Sequence, residues 1–315
     1  MDKFLIGLFI VLLGVAVVGV VMTVRYRGEI RTVQEHIESL GSQVVKTNCG
    51  PIEYAQIGEG YPVLVVHGNG GGFDQGLSLS ETYLGEGFQI TAPSRFGYLG
   101  SPLPAGATPA QQADAYACLL DTLGIQQVAI FTTSAGVTSS IQFALRHPER
   151  LSAMVLHSPN APGKVEVQLP PKPVFRAMLR SDFLYWLVGT NMISMFVPKE
   201  LPLTDQMAAD VRQAGLSVLP SSRRANGMVF DTYFGNQEIN HYPLEQVNTP
   251  TLVISAVDDP AALHENARTL AARIPYARLV AVPDGGHLML GHTEEVKLEI
   301  TQFLRDNVLE LKNSQ

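Results

Sequence analysis

The chain has 315 residues, 46% of them hydrophobic and 16% charged, with a formal net charge of −7. That length holds one large α/β domain, or a domain carrying an insertion. The acidic balance and the lack of basic clusters argue against nucleic acid as a partner. Neither Cys49 nor Cys118 lies in a C-x-x-C pattern and no Cys/His cluster has zinc spacing, so no metal site is expected. Both cysteines read as free thiols, Cys118 as an ordinary apolar position on a helix.

Phe4 to Val24 is an unbroken apolar run. As a helix it spans about 30 Å, enough for the hydrocarbon core of a bilayer, and it is too long for the apolar part of a signal peptide. Residues 1–27 are therefore read as a transmembrane anchor. Lys3 precedes the run, whereas Arg25, Arg27 and Arg31 follow it; the positive-inside rule then favours a cytoplasmic body. Residues 28–41 follow as a short amphipathic helix, with Ile30, Val33, Ile37 and Leu40 on one stripe, lying on the membrane surface or docking on the body.

Ser42–Thr47 and Ile52–Ile57 read as strands joined by a hairpin through Cys49-Gly50-Pro51. Val63–Val66 is a buried strand that runs into His67-Gly68-Asn69-Gly70-Gly71-Gly72. Glycine at such density lets backbone approach a bound group. A dinucleotide fingerprint is excluded because the next strand, Phe88–Ala92, ends in Pro93-Ser94 rather than an acid. A phosphate loop is excluded because Gly-Lys-Ser/Thr is missing.

Thr108-Pro109 opens a helix that runs to about Leu123, with a threonine cap and proline in the first turn. Val128 to Thr133 is an apolar run without alternation, as for a strand buried on both faces of a parallel sheet. Ala135 to His147 is helical by its spacing. Ser134 therefore stands at a sharp strand-to-helix turn, where backbone N–H groups of the new helix also point. A serine in that place is a candidate nucleophile.

Ser152–Ser158 is the next buried strand. Residues 160–243 break the rhythm: a proline-rich start, then an apolar series that includes Phe175, Leu184, Trp186, Met195 and Phe196. A sheet needs no such interruption, so a helical cap is expected over the site. Thr251–Ser255 resumes the sheet and leads to Asp258-Asp259. Helix His264–Ile274, strand Arg278–Val282, the loop Pro283-Asp284-Gly285-Gly286-His287 and a helix from about Thr293 to Leu309 complete the pattern. Residues 42–159 and 244–315 are thus the two halves of one core.

Asn69, Ser134, Asp259 and His287 each follow a predicted strand, at the carboxyl edge where parallel sheets place their sites. The stretch Thr132-Thr133-Ser134-Ala135-Gly136 resembles the nucleophile elbow G-x-S-x-G of the α/β-hydrolase family, with Thr132 where that family has glycine. The order Ser…Asp…His is also that family's. Gly-Gly-His287 resembles its G-x-G-H segment, and Ser94 to Ser101 resembles its Asp-x-Arg-Gly-x-Gly-x-Ser loop, with Arg95 as a brace.

The resemblance spans about Ile52 to Leu309. It implies an α/β-hydrolase fold: a mostly parallel sheet of the eight-stranded type, flanked by helices and interrupted by the cap. It implies Ser134, Asp259 and His287 as the catalytic triad. Asp258 stands as the alternative acid. The amides of Asn69 and Ala135 form the implied oxyanion hole, with Gly70 as the alternative to Asn69. His67 is assigned to ordering that loop, His147 and His157 to structure, and His292 to the start of the last helix.

The expected activity is hydrolysis of a small carboxylic ester with an apolar part, through an acyl-enzyme and without a cofactor. The same triad also serves carbon–carbon bond hydrolases and cofactor-free haloperoxidase-like enzymes. A binding module with an idle triad is the reading outside catalysis. Aspartate-nucleophile relatives are excluded because Ser134 stands at the elbow.

Overall fold

The computed structural model describes residues 3–163 and 169–308. The predicted end of the last helix at Leu309 lies outside them. Helix α1 (Lys3–Ser39) leads, followed by β1 (Gln43–Thr47), β2 (Gly50–Ile57), β3 (Tyr61–Val66), α2 (Phe73–Tyr83) and β4 (Phe88–Pro93). Then come α3 (Pro109–Thr122), β5 (Val128–Thr133), α4 (Gly136–Arg146) and β6 (Leu151–His157). The cap contributes α5 (Lys172–Leu179), α6 (Asp182–Val188), α7 (Asp205–Leu216) and α8 (Ala225–Tyr233). A 3-10 stretch, Gly189–Phe196, follows α6 directly. The core closes with β7 (Thr251–Ala256), α9 (His264–Arg273), β8 (Ala277–Val282) and α10 (Thr293–Val308).

The eight strands form one sheet in the order β1-β2-β4-β3-β5-β6-β7-β8. Pairings β1/β2 and β2/β4 are antiparallel. All others are parallel. The middle strands are buried throughout, because helices cover both faces and leave no polar side. One face packs Tyr116, Leu119, Ile141, Phe143, Ala267 and Leu270 from α3, α4 and α9. The other packs Phe73, Leu77, Val296, Ile300 and Phe303 from α2 and α10. Strand β5 sits near the middle, so its carboxyl end lies at the centre of the sheet edge.

Two expectations need correction. The cysteines are not free: Cys49, in the β1–β2 turn, is disulfide-bonded to Cys118 on α3, with Cα atoms 6.0 Å apart. Their separation of 69 positions hides the pairing, since α3 meets the hairpin only once the sheet has formed. The anchor and the amphipathic segment are also not two elements. They form one helix of 37 residues that runs through Gly28. Ile37 is buried against the α2/α10 face of the core, while Met22, Tyr26 and Ile30 pack on the cap. Docking of that stripe offsets the roughly 1 kcal/mol by which a mid-helix glycine weakens a helix. By length and composition, α1 is long and apolar enough to cross a membrane.

The sequence pattern also left α2 unassigned. Gly76, Ser78, Ser80 and Thr82 make it a poor helix on propensity alone. A Cβ on Gly76 would lie 2.8 Å from the Ala92 Cβ and 3.0 Å from the Val65 carbonyl. The glycine is what lets α2 press onto β3 and β4.

Candidate active site

At the end of β5 the backbone turns so tightly that Ser134 takes φ 49°, a conformation that costs a non-glycine residue about 1 kcal/mol or more. The turn is held by neighbours. The Ser134 amide donates to the His157 carbonyl at 3.0 Å, and the Asn160 amide donates to the Ser134 carbonyl at 3.1 Å. Helix α4 begins two residues on, at Gly136. A Cβ there would lie 2.5 Å from the His67 carbonyl and 2.7 Å from Thr132 Oγ1. The space left by Gly136 thus accommodates the branched side chain of Thr132, which replaces the glycine usual at the elbow's first position.

The loop after β8 brings in the histidine. Gly285 and Gly286 both have positive φ, 99° and 62°, which folds the loop back over the sheet edge. His287 Nε2 lies 3.0 Å from Ser134 Oγ, and its Nδ1 lies 2.8 Å from Asp259 Oδ2. The His287 carbonyl accepts from Ser158 Oγ at 2.8 Å. Asp259 is only 3% exposed, and its other oxygen accepts the amides of Ala261 and Ala262, both at 2.8 Å. The adjacent carboxylates do different work. Asp258 Oδ1 accepts the Gly286 amide at 2.9 Å, so it ties down the loop while Asp259 faces the ring. The structure therefore brings Ser134, His287 and Asp259 into one hydrogen-bonded line, and leaves Asp258 outside it.

The glycine loop after β3 lies across the same edge. A Cβ on Gly68 would come within 3.2 Å of the Ser134 Cβ. The Gly68 amide is already bonded to Gln75 Oε1 at 2.8 Å. Gly70 turns its amide toward the Tyr98 hydroxyl. Among the described residues, the amides of Asn69 and Ala135 make no intramolecular hydrogen bond. The Asn69 side chain is clamped, with Nδ2 donating to Thr232 Oγ1 at 3.0 Å and Oδ1 accepting from Tyr98 at 3.1 Å.

His67 is fully buried below this loop. Its Nδ1 lies 2.7 Å from the Gly68 carbonyl, and its Nε2 accepts the Arg95 amide at 2.9 Å. That network assigns the neutral ring with the proton on Nδ1. Burial, and then the charge of Arg95, hold its pKa well below the ordinary value. His157, beneath Ser134, is pushed down to about 3, first by burial and then by the charge of His287.

Two buried ion pairs bolt the cap to this edge. Arg95 reaches Asp231 on α8 with both terminal nitrogens, at 3.0 and 2.6 Å, and also donates to the Gly68 carbonyl at 3.0 Å. Arg224 donates to both oxygens of Asp74, at 3.0 and 2.7 Å. Arg95 is legible in the sequence as a brace; its partner, 136 residues away, is not. The cap also covers the site. The Phe196 ring lies 5.3 Å from the His287 ring, and a Cβ on Gly70 would touch Val218 at 3.0 Å. His147 pairs with Asp114, and His292 with Asp284 and Glu295. No group of three potential metal ligands occurs among the described residues.

This geometry agrees with the comparison to known proteins. Residues 61–291 match the family described as having the α/β-hydrolase fold. The chain belongs to the α/β-hydrolase family. A 2-hydroxymuconate semialdehyde hydrolase of Pseudomonas putida is 28% identical over 264 residues, covering 79% of this chain and 89% of the relative. A poly(3-hydroxyalkanoate) depolymerase of Ectopseudomonas oleovorans is 30% identical over 195 residues, covering 59% of this chain and 64% of the relative. Among solved structures, an α/β-hydrolase fold protein from Nakamurella multipartita superposes with a TM-score of 0.66. It is 28% identical, over 84% of this chain and 99% of its own. In this α/β hydrolase, helix α1 precedes the matched region.

Proposed function

We propose that this α/β hydrolase cleaves carboxylic esters with an apolar part by acyl-enzyme chemistry. The observation that carries the reading is the continuous relay from Ser134 Oγ through His287 to a buried carboxylate. Ser134 Oγ attacks the carbonyl carbon while His287 Nε2 takes its proton. Asp259 holds the other ring nitrogen and stabilises the imidazolium. The amides of Asn69 and Ala135 meet the developing oxyanion, each worth ~3–4 kcal/mol of transition-state stabilisation. His287 then returns the proton to the leaving alkoxide. In the second half it takes a proton from the water that attacks the acyl carbon, and it gives a proton back to Ser134 Oγ as the acid leaves. The apolar cap around Phe196 favours an apolar acyl or alcohol group.

Carbon–carbon bond cleavage on the same three residues is the second reading, favoured by the similarity to the Pseudomonas putida hydrolase. A fluorophosphonate probe tests the shared machinery, because it labels only a serine activated by a base and an oxyanion hole. A single adduct on Ser134, lost in Ser134→Ala, is the expected result; a folded protein without an adduct overturns both readings. Turnover of p-nitrophenyl esters, set against a vinylogous 1,5-diketone, then separates them.

We further propose that α1 crosses a membrane and that the body lies on its oxidising side. The arginines after the span weigh toward the cytoplasm. The Cys49–Cys118 bond weighs the other way and more heavily, because reducing compartments keep such pairs as thiols. Labelling of quenched cells with a thiol-reactive polymer tests it. Two labels that appear only after reduction are expected; labelling without reduction restores the cytoplasmic assignment.

A further inference from the structure

On the reading of α1 as a membrane span, we propose that the outer face of α6 is seated in the interfacial layer of the same bilayer. The membrane surface there is anionic. This makes the cap a peripheral membrane element beside the anchor.

The argument starts where α1 leaves the apolar run. From Phe4 to Val21 the helix is exposed throughout. Its first contacts with the body are Met22 and Tyr26, and both are with the cap. Tyr26 lies only about 3 Å along the helix axis beyond Val24. Its ring is 5.2 Å from Phe183 and 5.7 Å from Trp186, both on α6. One turn further, Glu29 accepts Trp186 Nε1–H at 2.6 Å and Arg212 at 2.6 Å. So α6 is fixed to α1 at the level where a span of that length emerges from the hydrocarbon. Tyrosine and tryptophan are the side chains that favour this depth, with one apolar and one wet end.

The rest of α6 is built for the same place. Phe183, Leu184, Leu187 and Val188 are 39%, 39%, 41% and 49% exposed, and their spacing puts them on one side of the helix. Tyr185 and Trp186 take the buried side. Four large apolar residues out of seven, side by side and open, are unusual on a surface that meets only water. Cations flank them. Arg180 stands one turn before Leu184, and Lys172 and Arg176 precede it at four-residue steps along α5. Among the described residues none of the three has an acidic partner. Arg25 and Arg27 are exposed at the end of the span itself. An apolar face edged by cations that have no acidic partner suits anionic headgroups over acyl chains, each cation adding about 1 kcal/mol near such a surface.

Trp186 is the single tryptophan of the chain, so its fluorescence reports α6 alone. The full chain is reconstituted in vesicles of phosphatidylcholine and phosphatidylglycerol carrying bromines either just below the headgroup or at the acyl ends. Shallow bromines are expected to quench Trp186 strongly and deep ones weakly. A triple variant Leu184→Asp, Leu187→Asp, Val188→Asp should lose the shallow quenching while still floating with vesicles after a carbonate wash. Arg176→Glu with Arg180→Glu should reduce quenching in the anionic vesicles. Wild-type protein that floats after the wash with unquenched Trp186 overturns the docking and spares the anchor. Protein stripped by carbonate overturns both.

Discussion

At the floor of the cap, the Arg224 and Asp74 side chains are 0% and 9% exposed, and those of Arg95 and Asp231 are 5% and 4%. On its outer side, where it meets α1, the Arg212 and Glu29 side chains are 51% and 26% exposed. Both seams are made of arginine and a carboxylate at hydrogen-bond distance. Their energetics differ because of water. A buried pair is expensive to assemble and more expensive to break, since removing one partner leaves an unpaired charge in a low dielectric. A half-exposed pair gains little and loses little. The inner seam is therefore a fixed joint that sets the glycine loop over Ser134, and the outer seam is a soft one.

The sharpest way to break this contrast is at the inner seam. Arg224→Ala should destabilise the protein by about 3–5 kcal/mol in denaturant unfolding, because Asp74 is stranded. Replacing both partners, Arg224→Met with Asp74→Leu, should recover most of that loss. Recovery would show that the pair specifies where the cap sits rather than how stable it is.

The disulfide gives a control away from both seams. Cys49→Ser with Cys118→Ser should cost about 2–4 kcal/mol, through the freedom returned to the unfolded chain. Trp186 emission in the folded protein should not change, since neither cysteine touches the cap. A shifted spectrum would mean that the hairpin and the cap are coupled after all.

His157 sharpens the contrast from beneath the site. Its pKa is about 3 in the folded protein, against about 6.5 in an unfolded chain. The unfolded state therefore binds the proton first, and stability falls as pH drops from about 6.5 toward 3. At pH 5 the loss attributable to this ring is about 2 kcal/mol. His157→Gln should flatten that part of the pH profile in paired unfolding curves. The smallest effect belongs to the outer seam. Glu29→Gln should cost about 1 kcal/mol or less, seen as faster hydrogen exchange in α6 with the core unchanged.

Much of this was legible in the chain, for physical reasons. Continuous apolar runs such as Val63–Val66 and Val128–Phe131 betray strands covered on both faces. Glycine clusters at 68–72 and 285–286 mark turns that must approach another group closely. Ser134, Asp259 and His287 could be singled out because each follows such a strand. Contacts between distant segments left no local trace. Arg95 and Asp231, and Arg224 and Asp74, meet only because the cap has settled on the sheet, and the two cysteines only because the sheet has formed. The division of labour between Asp258 and Asp259 is likewise set by loop geometry, since neighbouring carboxylates have the same chemistry. Helix α2 was hidden because tertiary contact at Gly76 overrides its weak propensity.

The unbroken course of α1 has a kinetic consequence. From Val24 to Ser39 a straight helix rises about 22 Å, and Ile30, Val33 and Ile37 fasten that length to the body along its side. A flexible linker would let the hydrolase tumble over a hemisphere. A strut glued along its flank does not. In a chain anchored as proposed, the sheet edge that carries Ser134 keeps one height and one orientation above the bilayer. The search for substrate then becomes lateral diffusion in a plane, and molecules dissolved in that membrane are met far more often than the same molecules free in solution.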